Sequence, residues 1–595
     1  MRRNNLPPKN KLEPQEEKKG LFSTIRLLIG NWKLFPLKKL LYLPHVLNHH
    51  QKRFLLLLAV LVLVSGLGLG TRFYMRVTKP VPATGGSYTE GLLKEPRNIN
   101  PVYASQDTDR DLTRLVFAGL LTYNSEGEIV NDLADKIEIS PDAKVYTVYL
   151  KKNLKWHDGE PLTARDVVFT IKTIQNSLYK SVLRTNWQGV SADEIGELVV
   201  RFTLRTPYVP FMENLTVGII PAHKWENISP DQAFTDELNL KPVGAGPYEF
   251  DSLSQAKDGS IDWYKLSRYS SYHQDGPYLK NLTFKFYKTE NEVLAALHKG
   301  DLDGFGPLSA SRTSEFDNQK VSILSLSMPR LYGIFFNEQK SDVLKDDAVR
   351  RAISYAVDRS YLAQKTTSGG GLATDSPLPF LPPQNMYNYD PGKARQILES
   401  AGWVKGPGEY HVKKPAKGKK GDPVPLKIKL TTSDWPDLVR AAETISKNLR
   451  EVGIEVAVET KSFADLEQTA IKPRNFEMLL FGQVYGYEAD PYTFWHSSQS
   501  KDPGLNITLF SDKKTDKILE DARKIADPAA REKKYQEFSK LLLQQSPAVF
   551  LYSQLYLYLL PADMRGVELG KISLPSDRFN EINKWYLSTG RKFSW

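Results

Sequence analysis

Hydrophobic positions along this 595-residue chain follow three different rhythms. Residues 54–70, FLLLLAVLVLVSGLGLG, are apolar and uncharged throughout. As a helix the run would rise about 25 Å, close to the ~30 Å hydrocarbon core of a bilayer. Residues 144–174, KVYTVYLKKNLKWHDGEPLTARDVVFTIKTI, change period midway. Val145, Thr147 and Tyr149 alternate with Tyr146, Val148 and Leu150 in a run rich in β-branched and aromatic residues, which predicts a strand. Asp158-Gly159 predicts a tight turn. Residues 166–171 predict a helix, with Thr163 as N-cap and Asp166 completing a capping-box-like start. The same periods recur down the chain. Helices are predicted over 112–121, 290–299, 347–359 and 529–543, with another around 515–519, and strands over 282–286 and 332–337. Residues 426–430, 438–452 and 454–458 read as strand, helix, strand, a β-α-β unit that fits a mixed α/β lobe.

The N-terminal flank changes the meaning of the apolar run. Residues 1–20 are polar, with Pro7, Pro8, Pro14 and mixed charges, a composition that does not fold alone. Residues 21–47 interleave Leu21, Phe22, Ile25, Trp32 and Phe35 with Arg26, Lys33, Lys38 and Lys39. Two readings are open for them: an amphipathic segment lying on an anionic leaflet, or a greasy leader to the apolar run. Gln51-Lys52-Arg53 precede that run and Thr71-Arg72 follow it, so the heavier positive flank places the N-terminus in the cytoplasm and the body outside. The preceding 53 residues are long for a signal peptide and no A-x-A site follows closely, so the run reads as an uncleaved signal anchor rather than a cleaved one. Residues 71–86, with Pro80, Pro82, Gly85 and Gly86, read as a linker.

A chain of this length is too long for a single core. It has no cysteine, which excludes disulfides, thiolate nucleophiles, Cys-ligated zinc and a lipidated cysteine. The net charge of +11 belongs to the tail: residues 1–53 hold 12 Lys/Arg and 3 Asp/Glu, whereas the other 542 hold 68 and 66. A body so close to neutral offers no basic face for nucleic acid. No H-E-x-x-H, G-x-S-x-G or Walker loop occurs, and no catalytic residue is assigned. His157 reads as a turn residue. His496, near Asp490 and Trp495, is the one histidine inside a candidate site region. Asp301-x-Asp303-Gly304 fails as a calcium loop because Phe305 stands at the next ligand position.

Residues 155–167, KWHDGEPLTARDV, closely resemble the signature run of the large extracytoplasmic solute-binding proteins of ABC importers, the peptide/nickel-binding family 5. Further stretches resemble that family's motifs in the same order: Asn98-Ile99-Asn100-Pro101, KPVGAGPY at 241–248, DAVRRAISYAVDR at 347–359, the segment 390–403 and the segment 531–548. The resemblance runs from about residue 88 to 595. Gly244 and Gly246 are expected to let two backbones approach, and the absence of a following Lys-Ser/Thr rules out a phosphate loop. The resemblance implies an α/β fold: a two-lobed periplasmic-binding-protein-like clamp, type II, of the large three-subdomain variety, with an N-terminal transmembrane helix. The expected divisions are a basic cytoplasmic tail 1–53, signal anchor 54–70, linker 71–86, lobe I with an inserted subdomain 87–281, lobe II 282–548, and a return to lobe I 549–595.

The resemblance also directs attention to residues 481–496, FGQVYGYEADPYTFWH, as cleft lining. Peptide-binding members resemble one another in placing an Asp four residues before the Pro of this segment, where it pairs with the peptide's α-ammonium. Here the Pro is Pro491 and that position is Tyr487. Glu488 is the adjacent carboxylate that could substitute. Asp490 matches the family's Asp-Pro and is also read as a cap for the following helix. Val484 stands where a Trp is often found. Tyr485 and Tyr487 are the lining candidates. Trp435, which follows a strand end, is another, and Trp187 a further one. The implied function is a membrane-anchored, single-pass solute-binding component of an ABC importer. It would take an oligopeptide or another small solute, partner a permease and an ATPase, and need no cofactor and no nucleic acid. A sugar or a peptide without a free amino end stays open as ligand. The alternative on the same fold is a tethered non-transport module: a sensor, chaperone or adhesin.

Overall fold

The computed structural model describes residues 48–593, apart from 209, 317–319, 368–369, 415–421, 488–489 and 526. The tail 1–47, with its amphipathic segment, lies outside the described residues. The described chain falls into two compact units: residues up to Val81 with those from Arg591, and Pro82–Gly590.

The first unit is built on the helix His49–Val77, 29 residues long and apolar enough to cross a membrane. It continues seven residues past Gly70, into the stretch read as linker, because nothing before Pro80 interrupts its hydrogen bonds. The chain then forms the strand Thr78–Pro82, paired with the strand Thr589–Phe593. Arg591 closes the helix end: its guanidinium donates to the Met75 and Thr78 carbonyls at 3.0 and 2.9 Å, and to Thr78 Oγ1 at 2.8 Å. These contacts satisfy carbonyls that every helix C-terminus leaves without an internal partner.

The second unit is a two-lobed α/β clamp. Its main sheet has eleven strands among the described residues and runs through both lobes. At one end lies the expected β-α-β unit: strands Lys427–Ser433 and Glu455–Lys461, parallel and joined by the helix Pro436–Glu451. At the other, Ser87–Leu93 pairs in parallel with Asn281–Tyr287, which pairs with Ile261–Arg268. Between them two long antiparallel strands, Val321–Phe336 and Ala548–Pro561, belong to both lobes. Their register shifts between Ser327 and Leu331, around Pro329, where the ladder cannot be continuous because proline lacks an N–H. On one side of the shift Leu326, Met328, Tyr556 and Tyr558 join the core of Leu112, Trp156 and Trp585. On the other, Ile334, Phe336, Val549 and Leu551 join the core under the β-α-β unit.

The stretch 144–174 folds as its pattern predicts. Val145–Leu150 is a strand of a separate four-stranded sheet, with Tyr146, Val148 and Leu150 facing the core. Ala164–Gln175 is a helix with the Thr163/Asp166 capping box in place. The helix predicted at 112–121 is displaced: it spans Asp107–Val116, starting on Asp107 and Asp109, which suit the positive helix N-terminus. The apolar run beyond it fills the same core from extended backbone, through the strand Leu121–Tyr123. The helix predicted at 347–359 breaks at Val357-Asp358, because the Asp358 carboxylate caps a second helix through the Tyr361 N–H. Asp303, of the rejected calcium motif, accepts the Thr89 N–H at 2.8 Å.

His157 ties two distant turns together. The Gly244 N–H donates to His157 Nδ1 at 3.2 Å, and His157 Nε2 donates to the Gly246 carbonyl at 3.1 Å. Both glycines press on the end of the Asp107–Val116 helix, where an added Cβ would lie 2.0 Å (Gly244) and 2.7 Å (Gly246) from the Val116 carbonyl oxygen. The approach therefore excludes any side chain. Burial lowers the His157 pKa to about 4, and acceptance of the Gly244 N–H by Nδ1 requires the neutral ring. Because the folded value is depressed, the contribution is full above about pH 6.5 and is lost as pH falls toward 4, by about 3 kcal/mol in all. Replacing His157 with Gln should therefore flatten the acid limb of the stability profile: between pH 6.5 and 4 the variant loses about 3 kcal/mol less than wild type in denaturation experiments. Parallel profiles would contradict this role.

Candidate functional site

The helix Asp107–Val116 has two working faces. Asp111, Leu112, Leu115 and Val116 point inward. Arg110, Thr113 and Arg114, spaced i, i+3, i+4, line a cavity of about 370 Å³. Asp109 fixes the helix start by accepting the Arg97 and Asn98 N–H groups at 2.7 and 3.1 Å.

Opposite this helix lies the turn Pro575–Phe579, and one residue locks the two together. Arg578 is fully buried between two carboxylates. It donates to Asp111 at 2.8 and 2.7 Å, to Glu90 at 2.7 and 3.1 Å, and to the Pro575 carbonyl at 2.6 Å. Glu90 also accepts the phenols of Tyr88 and Tyr558, at 2.9 and 2.6 Å. Burial raises the Asp111 carboxyl to about 6 against the pull of Arg578. Burial alone would lower the guanidinium, but Asp111 and Glu90 hold it well above its usual value. With Arg578 held, its neighbour Asp577 faces the cavity wall. The Asp577 carboxylate accepts the Ser573 and Leu574 N–H groups at 2.9 and 2.7 Å and meets Arg114 at 3.4 Å. Asn580, the next residue after the turn, also lines the cavity.

The remaining walls come from both lobes. Tyr123, at the end of its strand, stacks on Tyr487 with ring centroids 4.0 Å apart and planes 26° apart. The Tyr487 hydroxyl donates to the Lys571 carbonyl at 3.1 Å. Gly127, at φ +80°, completes the seat: a Cβ there would come within 2.9 Å of the Tyr487 ring. Gly486 lies against Glu213, whose carboxylate would be 3.2 Å from an added Cβ. Burial raises both phenols, helped by Glu213 at Tyr123 and by Asp577 at Tyr487, so both hydroxyls stay protonated. Trp187, 1% exposed, contributes to the cavity lining while packing on Phe202 and Phe211. Among the described residues no group of three or more His, Asp or Glu side chains converges to hold a metal ion.

Of the residues expected from the sequence, Tyr487 lines this cavity. Tyr485 does not: it is buried in the core, its hydroxyl donated toward the Pro377 carbonyl and Gln483, its ring on Phe494. Residues 485 and 487 lie beyond the end of the strand Met478–Val484, so both could not be assumed to face the cleft. Asp490 caps the Tyr492 N–H at 3.2 Å and is gripped by Arg523, whose guanidinium lies 3.5 Å over the Tyr492 ring. Trp435 stands outside the cavity, 46% exposed, in a stack with Phe463 and Phe481 at 5.8 and 6.5 Å. Glu488 lies outside the described residues. His496 is internally engaged, stacked on Tyr492 and accepting the Ser498 N–H. Arg114, Tyr123, Glu213, Asp577 and Asn580 were not singled out by sequence reasoning. The polar face of the helix predicted at 112–121 is the signal that could have found Arg114.

A profile of the bacterial extracellular solute-binding proteins, family 5, matches residues 128–504. The chain is 29% identical over 521 residues to the oligopeptide-binding protein AppA of Bacillus subtilis, covering 85% of this chain and 92% of that protein. The structure of that AppA in complex with a nonapeptide is similar with a TM-score of 0.65 at 27% identity, over 85% of this chain and all of the other. NikZ of Campylobacter jejuni, solved in complex with Ni(L-His), is similar with a TM-score of 0.65 at 25% identity, over 84% of this chain and 99% of NikZ.

The buried cluster makes a specific prediction. Arg578→Met leaves Glu90 and Asp111 facing each other without their cation and should cost about 3–5 kcal/mol of stability. Tyr487→Phe, which removes the hydroxyl and its bond to Lys571, should cost about 1 kcal/mol. Thermal and chemical denaturation of the two variants checks the ranking; an Arg578→Met protein as stable as wild type would contradict it.

Proposed function

Because the chain belongs to the bacterial extracellular solute-binding proteins of family 5, we propose that it captures a peptide or a similarly polar small solute between its lobes and delivers it to the permease of an ABC importer. The observation that carries this reading is the cavity itself. It is walled by a helix and turn locked by Arg578, and covered from the other side by Tyr487. Both signs of charge and aromatic faces line it, the composition of a site that orients a polar solute. Contacts across the cavity include the Tyr123–Tyr487 stack, the bonds from the Tyr487 hydroxyl to the Lys571 carbonyl and from the Ser573 hydroxyl to the Tyr485 carbonyl, and Arg523 at 5.6 Å from the Tyr208 ring. Such a boundary can open along the two long strands, and solute favours closure only by binding the closed form better.

The lobe divisions drawn from the sequence, 87–281, 282–548 and 549–595, are part of this proposal. So is the anchor. The helix His49–Val77 would hold the binding unit at the cell membrane, with Lys52 and Arg53 on the cytoplasmic side and the permease and ATPase as partners. The reading is of a binding site: the Asp577 carboxylate is held by the Ser573 and Leu574 backbone amides, and Asp132 by His273 and Gln274.

Native mass spectrometry of the full-length protein released from detergent tests the reading. Bound species in the mass range of peptides, displaced by added peptide, are expected. A protein that carries no solute and takes none from a broad peptide pool would count against it.

A further inference from the structure

We propose that the cavity selects a compact solute with a free carboxylate, of dipeptide to tripeptide size, and that Arg114 is the residue that receives the carboxylate. This rests on the solute-binding reading above and narrows its ligand class.

Size comes first. A cavity of about 370 Å³ lies near the lower end of the roughly 300–1,000 Å³ typical of ligand sites. A cavity at that end of the range suits a very short peptide better than an extended one. The exit toward the second lobe is occupied by Tyr487, which is fixed three ways: stacked on Tyr123, tied to the Lys571 carbonyl, and seated against Gly127.

Chemistry comes second. Arg114 makes one long contact, 3.4 Å to Asp577, and no other protein acceptor lies in hydrogen-bond range of it among the described residues. Asp577 offers Arg114 a single oxygen, Oδ1, while its Oδ2 takes two backbone amides, so it does not saturate the guanidinium. An arginine fork with unused donors at a cavity wall suits a carboxylate, which it can bind through two parallel bonds. Two further polar atoms in the lining, Thr113 Oγ1 and Asn580 Oδ1, are buried and have no protein partner. Buried polar atoms call for a partner, and a bound solute can supply it. Asn580 Oδ1 accepts, and so fits an amide N–H or ammonium of the solute. Both stand beside Arg114, on the same helix and on the turn facing it.

The test uses full-length protein in detergent and four probes in native mass spectrometry and calorimetry: a random tripeptide pool, the same pool with amidated C-termini, a nonapeptide pool, and a pool of N-acetylated amino acids. The tripeptide acids should bind at least tenfold more tightly than the amides and the nonapeptides. Arg114→Gln should abolish the preference of acid over amide. Tyr487→Ala, which leaves Arg114 in place, should admit nonapeptides. Binding of the N-acetylated pool alongside the tripeptides would show that the carboxylate suffices; binding of tripeptides alone would add the peptide backbone to what is recognised. Either result supports the inference. Wild-type protein that binds nonapeptides as tightly as tripeptides, or amides as tightly as acids, overturns it and leaves solute binding standing. Failure of all four pools strikes the solute-binding reading itself. If Arg114→Gln does not fold, the wild-type comparison of acid, amide and length still decides.

Discussion

A single buried guanidinium organises the binding lobe. Arg578 lies between Glu90, on a central strand, and Asp111, on the cleft helix, with every group almost wholly removed from water. A buried charge is tolerable only when its partners and hydrogen bonds are complete. Arg578 meets that condition with two carboxylates and a backbone carbonyl. The requirement fixes more than stability. Satisfying Arg578 sets the turn that carries Asp577 and Asn580, and holds the helix that carries Thr113 and Arg114. The cavity wall is thus the outer face of an electrostatic cluster whose inner face cannot shift without leaving a charge unpaired.

The other end of that helix is braced by backbone rather than charge. His157 joins the 155–167 turn to the 241–248 turn, and the glycines of the latter press against Val116. Neither motif touches the cavity through His157 or those glycines. Their contribution is to stop the cleft helix at a defined place, so that its polar face meets the facing turn. A wall held by the buried cluster and a tyrosine reaching it from the far side suit a clamp: the first gives a preformed half-site, and solute favours closure by binding the closed form better.

Much of this architecture was legible in sequence, and the parts that were not share a cause. The alternation of Tyr146, Val148 and Leu150, the Thr163/Asp166 capping box and the β-α-β unit at 427–461 are local patterns, and the structure reproduces them. Local patterns do not say which end of an apolar run is helix: Leu115–Leu121 fills one core, first as helix and then as extended chain. The site was legible at two residues, Tyr487 through its place in a resembling motif and Trp187 as a further aromatic candidate. Tyr485, two residues before Tyr487, belongs to the core instead, because the chain turns after Val484 and the alternation of faces ends there. Arg114, Tyr123, Glu213, Asp577 and Asn580 come from four separate stretches of chain. The pairing of Arg578 with Glu90 and Asp111, across almost five hundred residues, brings the outermost two of those stretches together.

The central claim is that two lobes close on a solute around this preformed wall. The absence of native cysteine allows a direct measurement, since two introduced thiols can carry spin labels without background. Ser191→Cys and Lys447→Cys label exposed positions on opposite lobes, on the strand Val190–Gly196 and the helix Pro436–Glu451. Distances measured by pulsed electron spin resonance on the full-length protein, stripped of solute and then reloaded, report closure. The account predicts a broader, longer distribution without solute that collapses to one shorter distance on reloading. A distribution that does not change while mass spectrometry shows the solute bound would contradict it.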